Sequence, residues 1–168
     1  VNTILMQFVI ISAFFLDSFA YSTEGIIGYT VGKKNKKNFL LTAKNSIELS
    51  LITSIIISLI FLILFKYIID IITDIDLLRF TAYKYIFWVL LIPPIASICY
   101  QLDGIFIGSS QTQDMRNAMV LSVVFFIIIS TYSTKYFENH GLWASLAIFM
   151  LLRSITLRFF LKNIIKRL

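Results

Sequence analysis

Five long apolar segments constrain the fold of this chain more than any other feature. A transmembrane helix needs about 20 consecutive, mostly apolar residues. The segments cover residues 4–29, 46–65, 83–108, 118–134 and 142–160. None of them alternates apolar and polar residues, as the strands of a membrane β-barrel do. The sequence therefore predicts an all-α integral membrane protein, a single bundle of five transmembrane helices.

Composition supports this class. Charged residues make up 14% of the chain, against about 25% in a typical soluble domain. The net charge of +6 could indicate nucleic acid in a soluble protein, but here the basic residues lie at the ends of apolar segments, and no base-reading motif is present. We expect the lipid bilayer of the cell (inner or plasma) membrane, and no nucleic acid, as partner. The chain begins at Val1 without an initiator Met, and we expect a fragment of a longer protein.

The distribution of Lys and Arg predicts the orientation. If five helices alternate in direction, the lysine segment 33–44, the loop with Arg116 and the C-terminus share one side, which holds ten basic residues. The opposite side holds four. Short cytoplasmic loops carry an excess of Lys and Arg, so we expect the lysine segment and the C-terminus in the cytoplasm.

Local patterns predict some helix ends. Asn45 and Glu48 form a capping-box pattern, which predicts a helix start just after the lysine cluster. Thr73 and Asp76 form a weaker one. Residues 66–73 are too short to cross a membrane, and we expect them to continue the second helix or to lie in the interface.

Three carboxylates lie within the apolar segments, where ionisable side chains are costly and usually face a polar interior or a pathway. Asp17 and Glu24 are seven residues apart, which places them on one helix face. Asp103 lies in the third segment. Burial in a low-dielectric medium favours the protonated form of a carboxyl group. These residues are candidates for proton or cation coupling, while hydrogen bonds between helices or a hydrated position near the interface stay open as alternatives.

Four glycines form two small-residue motifs. Gly28 and Gly32, like Gly104 and Gly108, are separated by three residues, and this spacing allows membrane helices to approach closely. We expect these glycines to serve helix packing.

Pro93 and Pro94 remove two backbone donors and are expected to bend or break the third helix. The bend could form a hinge near a binding region or serve packing alone. Arg153, five residues before Arg158 and deeper in its segment, could pair with a carboxylate or with a helix C-terminus.

Catalytic motifs are missing from the sequence. It contains no G-x-S-x-G, H-E-x-x-H, C-x-x-C or Walker pattern, and its single cysteine, Cys99, and single histidine, His140, offer neither a metal site nor a triad. We read His140 as an ordinary loop residue. The sequence predicts neither an enzyme nor a bound cofactor.

Three stretches resemble the multidrug and toxic compound extrusion family, in its DinF-like branch. They are L-D-S-F-A-Y-S-T-E-G-I-I-G-Y-T-V-G (residues 16–32), L-D-G-I-F-I-G-S-S-Q-T-Q-D-M-R-N-A-M (residues 102–119) and N-H-G-L-W (residues 139–143). Their order matches that family over nearly the whole chain. Ser18, where the branch often has Gly, is a departure from the pattern.

The resemblance implies helices eight to twelve of a two-lobed transporter with twelve helices. Such proteins export amphipathic and cationic compounds in exchange for H⁺ or Na⁺. It implies a cation-coupling role for Asp103, with less defined roles for Asp17 and Glu24. The partners that it implies are the N-terminal lobe of the same polypeptide and a small-molecule substrate. Coupling residues attributed to that lobe lie outside this sequence.

Two other functions stay open at this point. One is a flippase for lipid-linked oligosaccharides from the same superfamily, which would need several basic residues in its cavity, where only Arg153 is a candidate. The other is a non-transporting membrane subunit whose polar residues hold its helices together.

Overall fold

The computed structural model describes all 168 residues, and the protein is all-α, as the sequence predicts. The helices are α1 (Asn2–Gly32), α2 (Lys36–Ile72), α3 (Asp76–Lys84), α4 (Ile86–Gly108) and α5 (Thr112–Arg167). By length and composition, α1, α2, α4 and α5 are each able to cross a membrane.

Helix α5 is a hairpin of two arms. Its backbone is non-helical at Glu138, with φ 50° and ψ −129°, which separates a first arm (residues 112–137) from a second arm (residues 139–167). The ring centroids of Phe126 and Phe149 are 5.7 Å apart, whereas 23 residues of straight helix would separate them by about 34 Å. The arms are therefore antiparallel. The predicted segments 118–134 and 142–160 each lie within one arm.

The predicted start of the second helix is wrong. Helix α2 begins at Lys36, because the Asn35 side chain accepts a hydrogen bond from the backbone N–H of Asn38 at 3.0 Å and so caps the helix earlier. Asn45 and Glu48 lie inside α2. Residues 66–72 continue α2, which was one of the two positions expected for them.

The third predicted segment is divided. Tyr85 separates the short α3 from α4, so residues 83–108 do not form one helix. The predicted Thr73 cap is also wrong, because Ile75 is the N-cap residue of α3 and makes no side-chain capping bond. Instead, Arg79 organises this corner: its Nε donates a hydrogen bond to the Thr73 carbonyl oxygen at 2.8 Å and lies 3.3 Å from Asp70 Oδ1.

Helix α4 continues through Pro93 and Pro94, so these residues do not break it. Because Pro94 has no N–H, the Leu90 carbonyl oxygen loses its usual helical donor. Ser58 of α2 supplies a replacement, and its hydroxyl donates to Leu90 O at 2.9 Å. The freed backbone group is thus satisfied by a neighbouring helix, as the interior of a membrane protein requires.

Side-chain contacts join the regions that are predicted to lie on the same side of the membrane. Lys36 Nζ at the start of α2 donates to Ile165 O, at 2.9 Å, near the end of α5. Arg167 Nη1 donates to Gln111 Oε1 at 2.8 Å. We call this end of the bundle the basic end. At the opposite end, Asn2 bonds reciprocally with Asn139 at 2.7 and 2.9 Å.

Two apolar cores fill the bundle, one towards each end. The core at the opposite end consists of Leu5, Phe8, Val9, Ile57, Phe61, Phe65, Ile69, Ala82, Val89, Ile92, Ala96 and Trp143. The core at the basic end consists of Ile27, Phe39, Ala43, Leu102, Ile105, Phe106, Ala118, Leu157 and Ile164. Buried polar side chains lie between them: Ser12, Thr23, Ser50, Ser54, Ser97 and Gln101.

Candidate functional site

Glycines bring α1 and α4 into backbone contact. A Cβ atom on Gly104 would lie 2.5 Å from the Ala20 carbonyl oxygen, and one on Gly108 would lie 2.5 Å from the Glu24 carbonyl oxygen. Both distances are far below van der Waals contact, so only glycine fits at these two positions. The acidic face of α1 is therefore held directly beside α4.

The glycine motif of α1, Gly28 and Gly32, contributes less to packing. A Cβ on Gly28 would lie 3.4 Å from the Gly108 carbonyl oxygen, close to an ordinary contact. A Cβ on Gly32 would meet no atom within 4 Å. No close approach within this chain therefore requires glycine at position 32, where α1 ends.

All three candidate carboxylates line one cavity between α1, α4 and the start of α5. Its volume is about 220 Å³, and its walls are Asp17, Ala20, Tyr21, Glu24, Tyr100, Asp103, Gly104, Ile107 and Met115. Asp17 and Glu24 share one face of α1, as their spacing predicts. The sequence alone does not show that Asp103 of α4 joins them. We call this space the acidic cavity.

Asp103 forms an ion pair with Arg153 from the second arm of α5. Arg153 Nη2 lies 2.8 Å from Asp103 Oδ2 and 2.9 Å from Oδ1. The side chains are 13% (Arg153) and 15% (Asp103) exposed. Of the two partners expected for Arg153, the structure therefore shows a carboxylate. An ion pair buried this deeply depends on both members, because removing one leaves the other charge buried without compensation.

Asp17 and Glu24 differ from Asp103 because neither forms an ion pair. The acidic cavity thus has one carboxylate neutralised by an arginine and two without a cationic partner. No group of three or more His, Cys, Asp or Glu side chains is arranged to hold a metal ion. The cavity therefore has acidic side chains on two of its walls, Asp17 and Glu24 on α1 and Asp103 on α4.

A buried hydrogen bond beside the cavity was not predicted. Thr23 Oγ1 of α1 donates to Gln101 Oε1 of α4 at 2.8 Å, and Gln101 is 0% exposed. Gln101 Nε2 has no hydrogen-bond partner. The available signal in the sequence was a glutamine inside a charge-free stretch of the third segment, two residues before Asp103.

His140 lies at the opposite end of the bundle from the basic end. Its Nδ1 accepts a hydrogen bond from Trp88 Nε1 at 3.0 Å, and its ring centroid is 4.5 Å from that of Tyr85. These contacts join the turn of α5 to the start of α4. This is a structural connection at the chain reversal, remote from the carboxylates.

Fold and site together define a multi-pass membrane protein with a charged internal cavity. The family model MatE matches residues 1–132, and the chain belongs to this family. DNA damage-inducible protein F of Escherichia coli (strain K12) is 30% identical over 157 residues, covering 94% of this chain and 34% of that protein. The chain thus spans about a third of the length of this relative. No solved structure matches the chain significantly. The resemblance stated from the three stretches is confirmed.

Proposed function

We propose that this chain forms part of a cation-coupled antiporter that exports drugs or other amphipathic, cationic small molecules by alternating access. Family membership supports transport across the membrane. The observation that carries the proposal is the acidic cavity, where Asp17, Glu24 and Asp103 line one space. Buried carboxylates of this kind mark ion and substrate pathways in membrane proteins.

The residues have distinct proposed roles. Asp103 exchanges its interaction with Arg153 for H⁺ or Na⁺, and this exchange biases the inward- and outward-facing states. Asp17 and Glu24, which have no ion-pair partner, attract the positive charge of the substrate. Tyr21 and Tyr100 add aromatic faces to the same cavity, and such faces attract organic cations.

We place the protein in the inner or plasma membrane of the cell. The proposed orientation puts the lysine segment 33–44 and the C-terminus on the cytoplasmic side. The contacts between Lys36 and Ile165 and between Arg167 and Gln111 support a common side. The excess of Lys and Arg at that side supports the cytoplasm.

Efflux by the full-length polypeptide tests the coupling role. Asp103→Asn removes the charge and keeps the shape, so we expect drug efflux driven by a cation gradient to fall by at least about tenfold, since an interaction made by a charged group is lost. Asp114→Asn is the matched control, because Asp114 lies outside the cavity and forms no ion pair. Unaltered efflux by Asp103→Asn across pH and Na⁺ conditions contradicts the proposal.

The cavity also bears on the alternatives. A flippase for lipid-linked oligosaccharides needs cationic groups for a pyrophosphate, whereas this cavity is lined by carboxylates. A non-transporting subunit would show a fixed partner on purification and no ion-dependent flux from the full-length polypeptide. The acidic lining favours the antiporter over the flippase, and measured ion-dependent flux separates the antiporter from a non-transporting subunit.

A further inference from the structure

A second cavity adjoins the acidic cavity and has the opposite charge. It measures about 490 Å³ and is lined by Ile107, Thr112, Met115, Arg116, Met119, Val120 and Arg153. Ile107 and Met115 line both cavities. Asp103 belongs to one lining and Arg153 to the other, so their ion pair lies between the two spaces. We call the second space the basic groove.

The basic groove contains two guanidinium groups and no carboxylate. Arg116 is exposed and forms no ion pair. Arg153 is paired through Nη2 only, and its Nε is buried without a hydrogen-bond partner. The Nε has no accessible surface, so a ligand in the groove cannot reach it. Nη1 makes no hydrogen bond within the protein and is not fully buried, so it is the donor that an anionic oxygen in the groove can approach.

Apart from Thr112, the rest of the lining is apolar. Met115, Met119, Ile107 and Val120 surround the two arginines. Methionine side chains adapt to irregular apolar ligands. Positive charge combined with such walls fits an anion that carries a hydrocarbon chain, and it fits a free inorganic anion poorly.

We propose that the basic groove binds an anionic amphiphile, with Arg116 and Arg153 contacting its head group and the methionines contacting its chain. The head group is a single carboxylate or phosphate. Two sources share this chemistry, a free fatty acid and an anionic phospholipid of the surrounding leaflet.

The ion pair links the groove to the acidic cavity. A cation that neutralises Asp103 releases Arg153 towards the groove, and an anion bound to Arg153 releases Asp103 towards the cavity. Each ligand thus increases the affinity for the other, and by thermodynamic linkage the two increases are equal. The proposal that the groove binds an anion depends only on the residues that line the groove. The linkage to a cation, in contrast, rests on the proposed function.

Fluorescence titration of the full-length polypeptide in phosphatidylcholine nanodiscs tests the site. The probe is a dansyl-labelled long-chain fatty acid. Arg116→Gln is expected to weaken binding by about tenfold, because one charged contact is lost. Lys37→Gln is the control, since Lys37 is an exposed cation at the basic end that lines neither cavity and forms no ion pair, and the probe affinity should not change.

Asp103→Asn gives the more discriminating result. It leaves Arg153 in place without its carboxylate, so the probe should bind several-fold more tightly than to the wild type. Wild-type affinity in both Arg116→Gln and Asp103→Asn overturns the proposal, as does equal weakening by Lys37→Gln. All of these variants keep Arg153, so none of them removes the guanidinium group that lines the groove.

Lipid composition distinguishes the two sources. If phosphatidylglycerol in the nanodisc displaces the probe from the wild type but not from Arg116→Gln, the ligand is a phospholipid head group. If it does not displace the probe, the ligand is a free carboxylate. Anion binding that persists while cation-driven efflux fails would contradict the proposed antiport but not the groove.

Discussion

Helix α1 packs in two different ways along its length. Near its start, Phe8 inserts between Phe61 and Phe65 of α2, with ring centroids at 5.2 and 5.1 Å. Farther along, its backbone at Ala20 and Glu24 lies against Gly104 and Gly108 of α4, with no side chain between. The first contact keeps helices at side-chain distance and encloses only apolar groups. The second brings backbones together and leaves the acidic side chains beside a cavity.

This difference shows how one helix serves stability and function in separate segments. Large interdigitating rings give the well-filled packing typical of protein interiors. At the glycine contacts the two helices pack through backbone atoms. The neighbouring side chains are therefore not needed for packing and can carry charge. We therefore expect substitutions in the aromatic segment to act mainly on stability, and those in the glycine segment to act on cavity shape as well.

Between the two packing modes of α1, the larger effect on stability is expected at Phe8. Phe8→Ala leaves a cavity among the rings of Phe61 and Phe65 and should lower the free energy of unfolding by about 3–5 kcal/mol. Phe14→Ala is the control, because Phe14 is 71% exposed and fills no core. Thermal unfolding of the full-length polypeptide measures both. Equal shifts in the two variants would show that the aromatic contact carries no special weight.

The second effect is expected at the glycine contact. Gly104→Ala places a Cβ 2.5 Å from the Ala20 carbonyl oxygen, and we expect a loss of about 1–3 kcal/mol from overpacking. Gly25→Ala is the matched control, since a Cβ there meets nothing within 4 Å. Alanine favours helix over glycine, so the control should unfold at an equal or higher temperature. A Gly104→Ala variant as stable as this control would contradict the close approach.

A smaller effect is expected beside the cavity. Thr23→Val keeps the shape of the side chain and removes the donor to Gln101, whose amide is then buried without any partner. We expect a loss of about 1–2 kcal/mol. Thr53→Val is the control, because Thr53 is only half-buried and its hydroxyl bonds only to the carbonyl oxygen of Leu49 within its own helix. Thr23→Val should unfold at a lower temperature than Thr53→Val. Equal unfolding temperatures would show that the hydrogen bond between Thr23 and Gln101 does not stabilise the protein.

Patterns within a single helix were predictable from the sequence. Apolar length gave the all-α class, and the seven-residue spacing placed Asp17 and Glu24 on one face. Local capping was less certain, because Asn35 and Asn45 are both able to cap a helix and nothing in the sequence ranks them. The interruption between α3 and α4 at Tyr85 is not marked by a glycine or a proline in the sequence.

Contacts between helices were harder to predict. The spacing of Gly104 and Gly108 indicated a close approach but not α1 as the partner. Arg153 could pair with a carboxylate or a helix end, and only the hairpin of α5 brings it to Asp103. The Thr23–Gln101 bond joins residues 78 positions apart. Such pairs depend on how helices face one another, which helix periodicity alone leaves undetermined.

Equilibrium binding of tetraphenylphosphonium, a lipophilic cation, tests the central claim most directly. The claim is that Asp17 and Glu24, the cavity carboxylates without an arginine partner, attract the cation. The double variant Asp17→Asn/Glu24→Gln of the full-length polypeptide should bind about tenfold or more weakly, through the loss of two charges facing the ligand. Asp114→Asn should bind like the wild type. Wild-type affinity in the double variant would contradict the account.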